Sequence, residues 1–237
     1  MLKVLDSAVP VACWSCSVAH NESTLFCPHC SKIQPPPGGD YFSVFGLQPR
    51  LNLDLAALEH EFHRLSRKLH PDRYARAGEN EKQWSLADSA LLNDAYRTLK
   101  DPLRRTEYLL KLQGAAMDVS APARTASEFS QGREQNSRAP ADLLEEVFDL
   151  NMQVEEMRRS KKMGQDDRDL KESLVASSQK FASLVDAVDR DLRAQWAVWD
   201  AGGVGTRQPA ERAMLALLDR RRYLSNLVRS VTEILGE

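Results

Sequence analysis

The chain has 237 residues, 42% of them hydrophobic and 28% charged, with a net charge of −2. That length allows more than one packed unit, and the balanced charge excludes a general pull toward nucleic acid or an anionic membrane surface. No apolar run approaches the ~20 residues of a spanning helix, so a soluble protein is expected. All four cysteines fall between Cys13 and Cys30, a clustering that suits a local metal site better than a disulfide framework. The opening segment, residues 1–12, has one Lys and no Arg. It does not read as an Arg-rich transit peptide, and the residues themselves leave the compartment open.

The first element, residues 13–34, holds two CxxC knuckles, Cys13-Trp14-Ser15-Cys16 and Cys27-Pro28-His29-Cys30, ten residues apart. Each knuckle can turn two thiolates toward one ion, and two knuckles complete a closed four-sulfur shell at ~2.3 Å. Structural zinc is the expected occupant. Iron, a pair of disulfides and a thioredoxin-like redox pair remain open alternatives. Four thiolates fill the shell, so His20 and His29 are read as bystanders. Residues 17–26 contain no Lys or Arg, which argues against a nucleic-acid ribbon. A unit this small cannot bury a core, so metal would supply its folding free energy, of order ~10 kcal/mol. Gln34-Pro35-Pro36-Pro37-Gly38-Gly39 follows as a stiff spacer and turn. It is expected to isolate the knuckle, leaving the next unit able to work without it.

Residues 40–113 show helical periodicity. Leu55, Leu58, Phe62, Leu65 and Leu69 share one face at spacings of three and four, with Arg64, Arg67 and Lys68 largely away from it. Pro71 must stop this helix, so His70-Pro71-Asp72 forms the tip of a helical hairpin. Trp84, Leu91, Leu92, Ala95 and Leu99 then make the facing stripe. Asp101-Pro102 opens a shorter helix through Leu112, which Gly114 ends.

Residues 118–140 are rich in Ser, Ala, Pro and Arg and read as a linker of low order. From residue 141 three helical stretches are expected, about 141–163, 167–200 and 208–235, with short connections that favour an antiparallel three-helix bundle. The fold class is therefore all-α: a four-cysteine knuckle (13–34), a helical unit (40–113) and a C-terminal bundle (141–235). The heptad-like stripe of the bundle also leaves a homodimer open.

The hairpin resembles a J-domain, the module with which co-chaperones switch on the ATPase of DnaK-type chaperones. The resemblance extends well beyond the tripeptide. Asp40-Tyr41-Phe42-Ser43-Val44-Phe45-Gly46-Leu47, Leu69-His70-Pro71-Asp72-Arg73, Leu92 through Leu99, and Asp101-Pro102-Leu103-Arg104-Arg105 are all similar to HscB-type co-chaperones of iron–sulfur cluster assembly. Eukaryotic, mitochondrial members of that family also carry paired N-terminal CxxC knuckles. The resemblance implies a mitochondrial protein, with a cytoplasmic one as the alternative, that is not itself an enzyme. Its partners would be a DnaK-type chaperone and the scaffold protein on which clusters are built, with neither nucleic acid nor membrane.

The resemblance also assigns residues. His70, Pro71 and Asp72, with the basic face of Arg64, Arg67 and Lys68, would meet the chaperone. Leu144, Phe148, Asp149 and Met152 on the first bundle helix, with Arg222 and Tyr223 near the end of the chain, would meet the scaffold. Glu145 stands where bacterial members tend to be apolar, and Met152 where an acidic residue is usual. The alternative function is a general protein-folding J-domain co-chaperone. That type usually adds a Gly/Phe-rich segment and β-rich client-binding domains, and neither appears in this sequence. A redox or metal-dependent enzyme built on the CxxC knuckles is weakened by the closed thiolate shell and the lack of convergent acid, base or open-site ligands.

Overall fold

The computed structural model describes residues 11–20, 24–114, 141–165 and 167–236, and the linker read over 118–140 lies outside them. The chain divides into two compact units, residues 1–115 and 116–237. The helical architecture is the one expected, with a minute sheet at the knuckle, where β1 (Val11–Ala12) pairs antiparallel with β2 (Ala19–His20).

In the first unit each helix begins where the side chains can satisfy its free amides. Asp40 accepts from Ser43 N to start α1 (Tyr41–Val44), and Asp54 accepts from Ala57 N to start α2 (Leu55–Leu69). Glu81 reaches back to Gly78 N at the head of α3 (Glu79–Lys100). Asp101 takes the amides of Leu103 and Arg104 to start α4 (Pro102–Leu112), whose Pro102 occupies the first turn, where a missing N–H costs nothing. Gly114, at φ 81°, closes that helix in the left-handed conformation.

The core of this unit is Phe42, Leu51, Leu58, Leu65, Leu69, Leu92, Ala95, Leu99, Leu109 and Leu110, all buried. Tyr108 fastens the opening segment: its ring stacks on Tyr41 at 4.5 Å and its hydroxyl accepts from Tyr41 N at 2.8 Å. Arg105 is also buried, donating from Nε to the Leu51 carbonyl (2.8 Å) and from Nη1 to the Leu99 carbonyl (2.5 Å). It thereby ties the loop before α2 to the end of α3.

Two members of the expected stripes sit elsewhere. Leu55 is exposed because it occupies the first position of α2, short of the facing helix. Trp84 is only partly buried and turns toward the knuckle, where its ring meets Trp14 edge-on at 5.6 Å. The knuckle is therefore not insulated by its spacer. It is docked on the helical hairpin.

The second unit is a bundle of α5 (Leu144–Lys162), α6 (Arg168–Ala201) and α7 (Val204–Leu235), entered through a short 3-10 turn, Ala141–Leu143. Val147, Leu150, Val154 and Met157 of α5 pack with Leu170, Leu174, Phe181 and Val188 of α6 and with Leu224, Leu227 and Val231 of α7. Charge pairs cross between elements: Arg220 to Asp142 (2.9 and 2.7 Å), Arg221 to Asp189 (2.6 and 3.2 Å) and Lys180 to Glu146 (3.2 Å). The Arg220 guanidinium holds the Asp142 carboxyl below the usual carboxylate range.

α7 starts four residues earlier than periodicity suggests and carries Pro209 inside it. The reason is the corner. Buried Trp199 donates from Nε1 to Glu211 (3.3 Å), while Arg207 lies 4.5 Å over its ring and donates to its carbonyl (3.3 Å). These contacts wind the chain into helix directly after Gly202-Gly203.

Candidate functional site

The four cysteine sulfurs lie within 4.8 Å of one another. Cys13 Sγ is 3.6 Å from Cys30 Sγ, and Cys16 Sγ is 3.8 Å from Cys27 Sγ. Those separations are far beyond the ~2.05 Å of a disulfide. They match the ~3.8 Å tetrahedron edge that ~2.3 Å metal–sulfur bonds require.

The two knuckles repeat one geometry. Ser17 N bonds to Cys13 O and Ser31 N to Cys27 O, both at 2.9 Å, with the serines left-handed at φ 60° and 58°. Cys13 and Cys27 each accept a backbone amide two residues on, from Ser15 and His29 at 3.4 Å. Buried Gln34 adds a third donor, Nε2 to Cys13 Sγ at 3.5 Å. Amide donors around clustered sulfur favour the thiolate form that a metal needs. Neither histidine belongs to the cluster. The donor set can therefore hold one ion in a closed shell, with no coordination position left for chemistry.

The hairpin tip is built from beneath. His70 leaves the helix at ψ 127°, and Pro71–Tyr74 form one 3-10 turn. Ser85 and Ser89 of α3 both donate to the Leu69 carbonyl, at 2.5 and 3.3 Å, so the last orphan acceptor of α2 is satisfied from the opposite helix. His70 Nδ1 accepts from Asp72 N at 3.3 Å. The Asp72 carboxylate is left 89% exposed at the tip.

Of the three basic residues expected on α2, Arg67 and Lys68 are exposed. Arg64 is engaged instead, forked onto Glu61 at 2.7 and 2.5 Å. Lys68 extends over the ring of Phe26, its Nζ 5.5 Å from the centroid. Sequence reasoning missed this last contact, because nothing in local periodicity links residue 26 to residue 68.

On α5 the spacing-of-four set stands apart from the core. Leu144, Phe148 and Met152 are 56%, 65% and 58% exposed, and Asp149 beside them is exposed too. The other candidates differ. Tyr223, expected at an exposed position, is half-buried against the bundle core, and burial raises its phenol pKa. Arg222 is partly buried, 3.7 Å from Asp219.

The chain is 34% identical over 172 residues to the human iron-sulfur cluster co-chaperone protein HscB, a match covering 71% of this chain and 65% of that protein. To the mouse protein of the same description it is 39% identical over 121 residues, 49% of this chain and 52% of that one. The crystal structure of human co-chaperone protein HscB superposes with a TM-score of 0.61 at 25% identity, over 94% of this chain and 98% of that one. In sequence and in fold the chain is similar to HscB co-chaperones.

Chaperone HscB from Vibrio cholerae gives a TM-score of 0.54 at 27% identity, over 84% of this chain and 98% of that one. No family model matches. The chain spans about half to two thirds of the length of the curated HscB proteins it matches. Among the described residues no helix is long and apolar enough to cross a membrane.

Proposed function

We propose that this chain is an HscB-type co-chaperone of iron–sulfur cluster biogenesis that stimulates the ATPase of a DnaK-type chaperone and delivers the cluster scaffold protein to it. The observation that carries this reading is the His70-Pro71-Asp72 tip, where a carboxylate is presented to solvent on a turn braced from below.

Arg67 and Lys68 steer the hairpin toward an acidic patch on the chaperone's nucleotide-binding domain. Asp72 then engages cationic groups that couple hydrolysis to closure of the chaperone's substrate domain. His70 fixes the turn by accepting the Asp72 amide. The effect is a population shift in the partner, driven by contacts made preferentially to its hydrolysis-competent state. The chain itself catalyses nothing.

The scaffold docks on α5 through Leu144, Phe148 and Met152, with Asp149 at the rim. Arg222 and Tyr223 support that surface from within the bundle rather than as protruding anchors. The four thiolates hold structural zinc, and the protein works in the mitochondrion, as the knuckle-bearing members of the family do.

The test is co-purification with the full chain as bait. A scaffold protein and a DnaK-type chaperone should be recovered together, and recovery of the scaffold should fall for Phe148→Ala. A broad mixture of unfolded clients in place of one scaffold would instead support a general folding co-chaperone.

A further inference from the structure

The knuckle touches the hairpin on both sides of the tip. On the α2 side, Phe26, adjacent to Cys27, lies under the Lys68 ammonium two residues before His70. On the α3 side, Trp14 sits between Cys13 and Cys16 and meets the Trp84 ring edge-on at 5.6 Å, while Lys32 pairs with Glu81 at 3.3 Å. Glu81 is also the side chain that caps Gly78 N at the head of α3.

The aromatic contacts come from residues adjacent to metal ligands, and Trp14 is further fixed by donating from Nε1 to the Ile33 carbonyl at 2.6 Å. A segment of this size has no core of its own, so Trp14 and Phe26 keep these positions only while the four sulfurs are gathered. The seam is also open along one side, a cleft of about 220 Å³ lined by Trp14, Trp84 and Gly78 through Glu81. An edge contact of that kind can separate without unfolding the hairpin core, whose buried α3 residues Leu92, Ala95 and Leu99 lie two or more turns further along that helix.

We propose that the metal-loaded knuckle is a clamp on the J-domain tip. Trp14, Phe26 and Lys32 are positioning residues that hold Lys68 and the first turn of α3, so that metal occupancy of the thiolates tunes engagement of the chaperone. The consequence for the chaperone rests on the function proposed above, whereas the clamping of residues 66–84 does not.

The full chain, loaded with zinc, is followed by hydrogen exchange at residues 66–84 and by its affinity for its DnaK-type chaperone, before and after chelation confirmed by zinc release. Exchange across 66–84 should speed up at least threefold on chelation and binding should weaken at least threefold, with α4 unchanged. Trp84→Ala, and separately Lys32→Ala in case the first disturbs α3, should move toward the chelated state with zinc still bound and respond less to chelation. If zinc leaves while exchange at 66–84 and affinity both stay the same, the clamp does not exist. If exchange responds but neither form binds the chaperone, the clamp stands and the functional reading fails.

Discussion

Phe148 and Leu150, two residues apart on α5, lie on opposite sides of the helix: the first is 65% exposed and the second 2%. One helix thus presents a core stripe to the bundle and a separate apolar face to solvent. Exposed large side chains recurring every four residues, with Leu144 and Met152 flanking Phe148, form a contiguous surface of the sort that marks a docking site. Phe148→Ala should change stability by less than ~0.5 kcal/mol and weaken scaffold binding by ~1–3 kcal/mol. Leu150→Ala should cost ~2–4 kcal/mol of stability. Thermal melts and titration calorimetry separate the two. A bundle that melts on truncating Phe148 would place that ring in the core.

Asp88 is fully buried on α3, and among the described residues neither carboxylate oxygen has a hydrogen-bond partner. Burial pushes its pKa up from 3.8 to about 7. The folded state therefore keeps a proton that the unfolded chain has already released between those values. This contribution to stability is fully present below pH ~4, declines as pH rises toward 7, and is gone above it. Asp88→Asn should raise stability at pH 8 by ~1–3 kcal/mol. It should also flatten the slope between pH 5 and 7 in denaturant titrations. Parallel pH profiles for the two proteins would show that Asp88 titrates normally.

Gly202 leaves no room for a methyl group at the α6–α7 corner. A Cβ there would sit 2.8 Å from the Val198 carbonyl and closer still to Thr206 Oγ1. Gly202→Ala should destabilise the bundle by ~1–3 kcal/mol. Adding Thr206→Ala should restore only part of this, since the carbonyl remains. Full restoration would mean that the hydroxyl was the sole obstacle.

Much of this was legible in local pattern. Pro71 dictates the break, the stripes of α2 and α3 face each other at Leu58, Leu65, Leu69, Leu92 and Leu99, and the CxxC pairs gather their sulfurs. What stayed hidden depends on contacts distant in sequence. Trp84 looks like a stripe residue until Trp14 claims it, and Arg105 looks like one more surface charge until Leu51 and Leu99 offer it carbonyls. Tyr223 is expected at the scaffold surface from resemblance, which does not say how deep a helix face sinks between two neighbours. Pro209 disguised the first turn of α7, which the Trp199 contacts enforce.

Arg67 and Lys68 are exposed, so their attraction for an acidic partner is screened over ~8–10 Å at physiological salt. Replacing both with Ala should weaken chaperone binding strongly in dilute buffer and progressively less as salt is added. Binding isotherms over a salt series measure this. A loss that is independent of salt would point to packing rather than charge.

Asp72→Asn in the full chain, assayed for stimulation of the DnaK-type chaperone's ATPase under single-turnover conditions, is the most direct test. The side chain is 89% exposed, and the backbone amide that His70 accepts is untouched by the change. The helical signal and melting temperature should match the wild type while stimulation drops to the chaperone's unstimulated rate. A folded Asp72→Asn protein that still accelerates hydrolysis as the wild type does would contradict the role assigned to this turn.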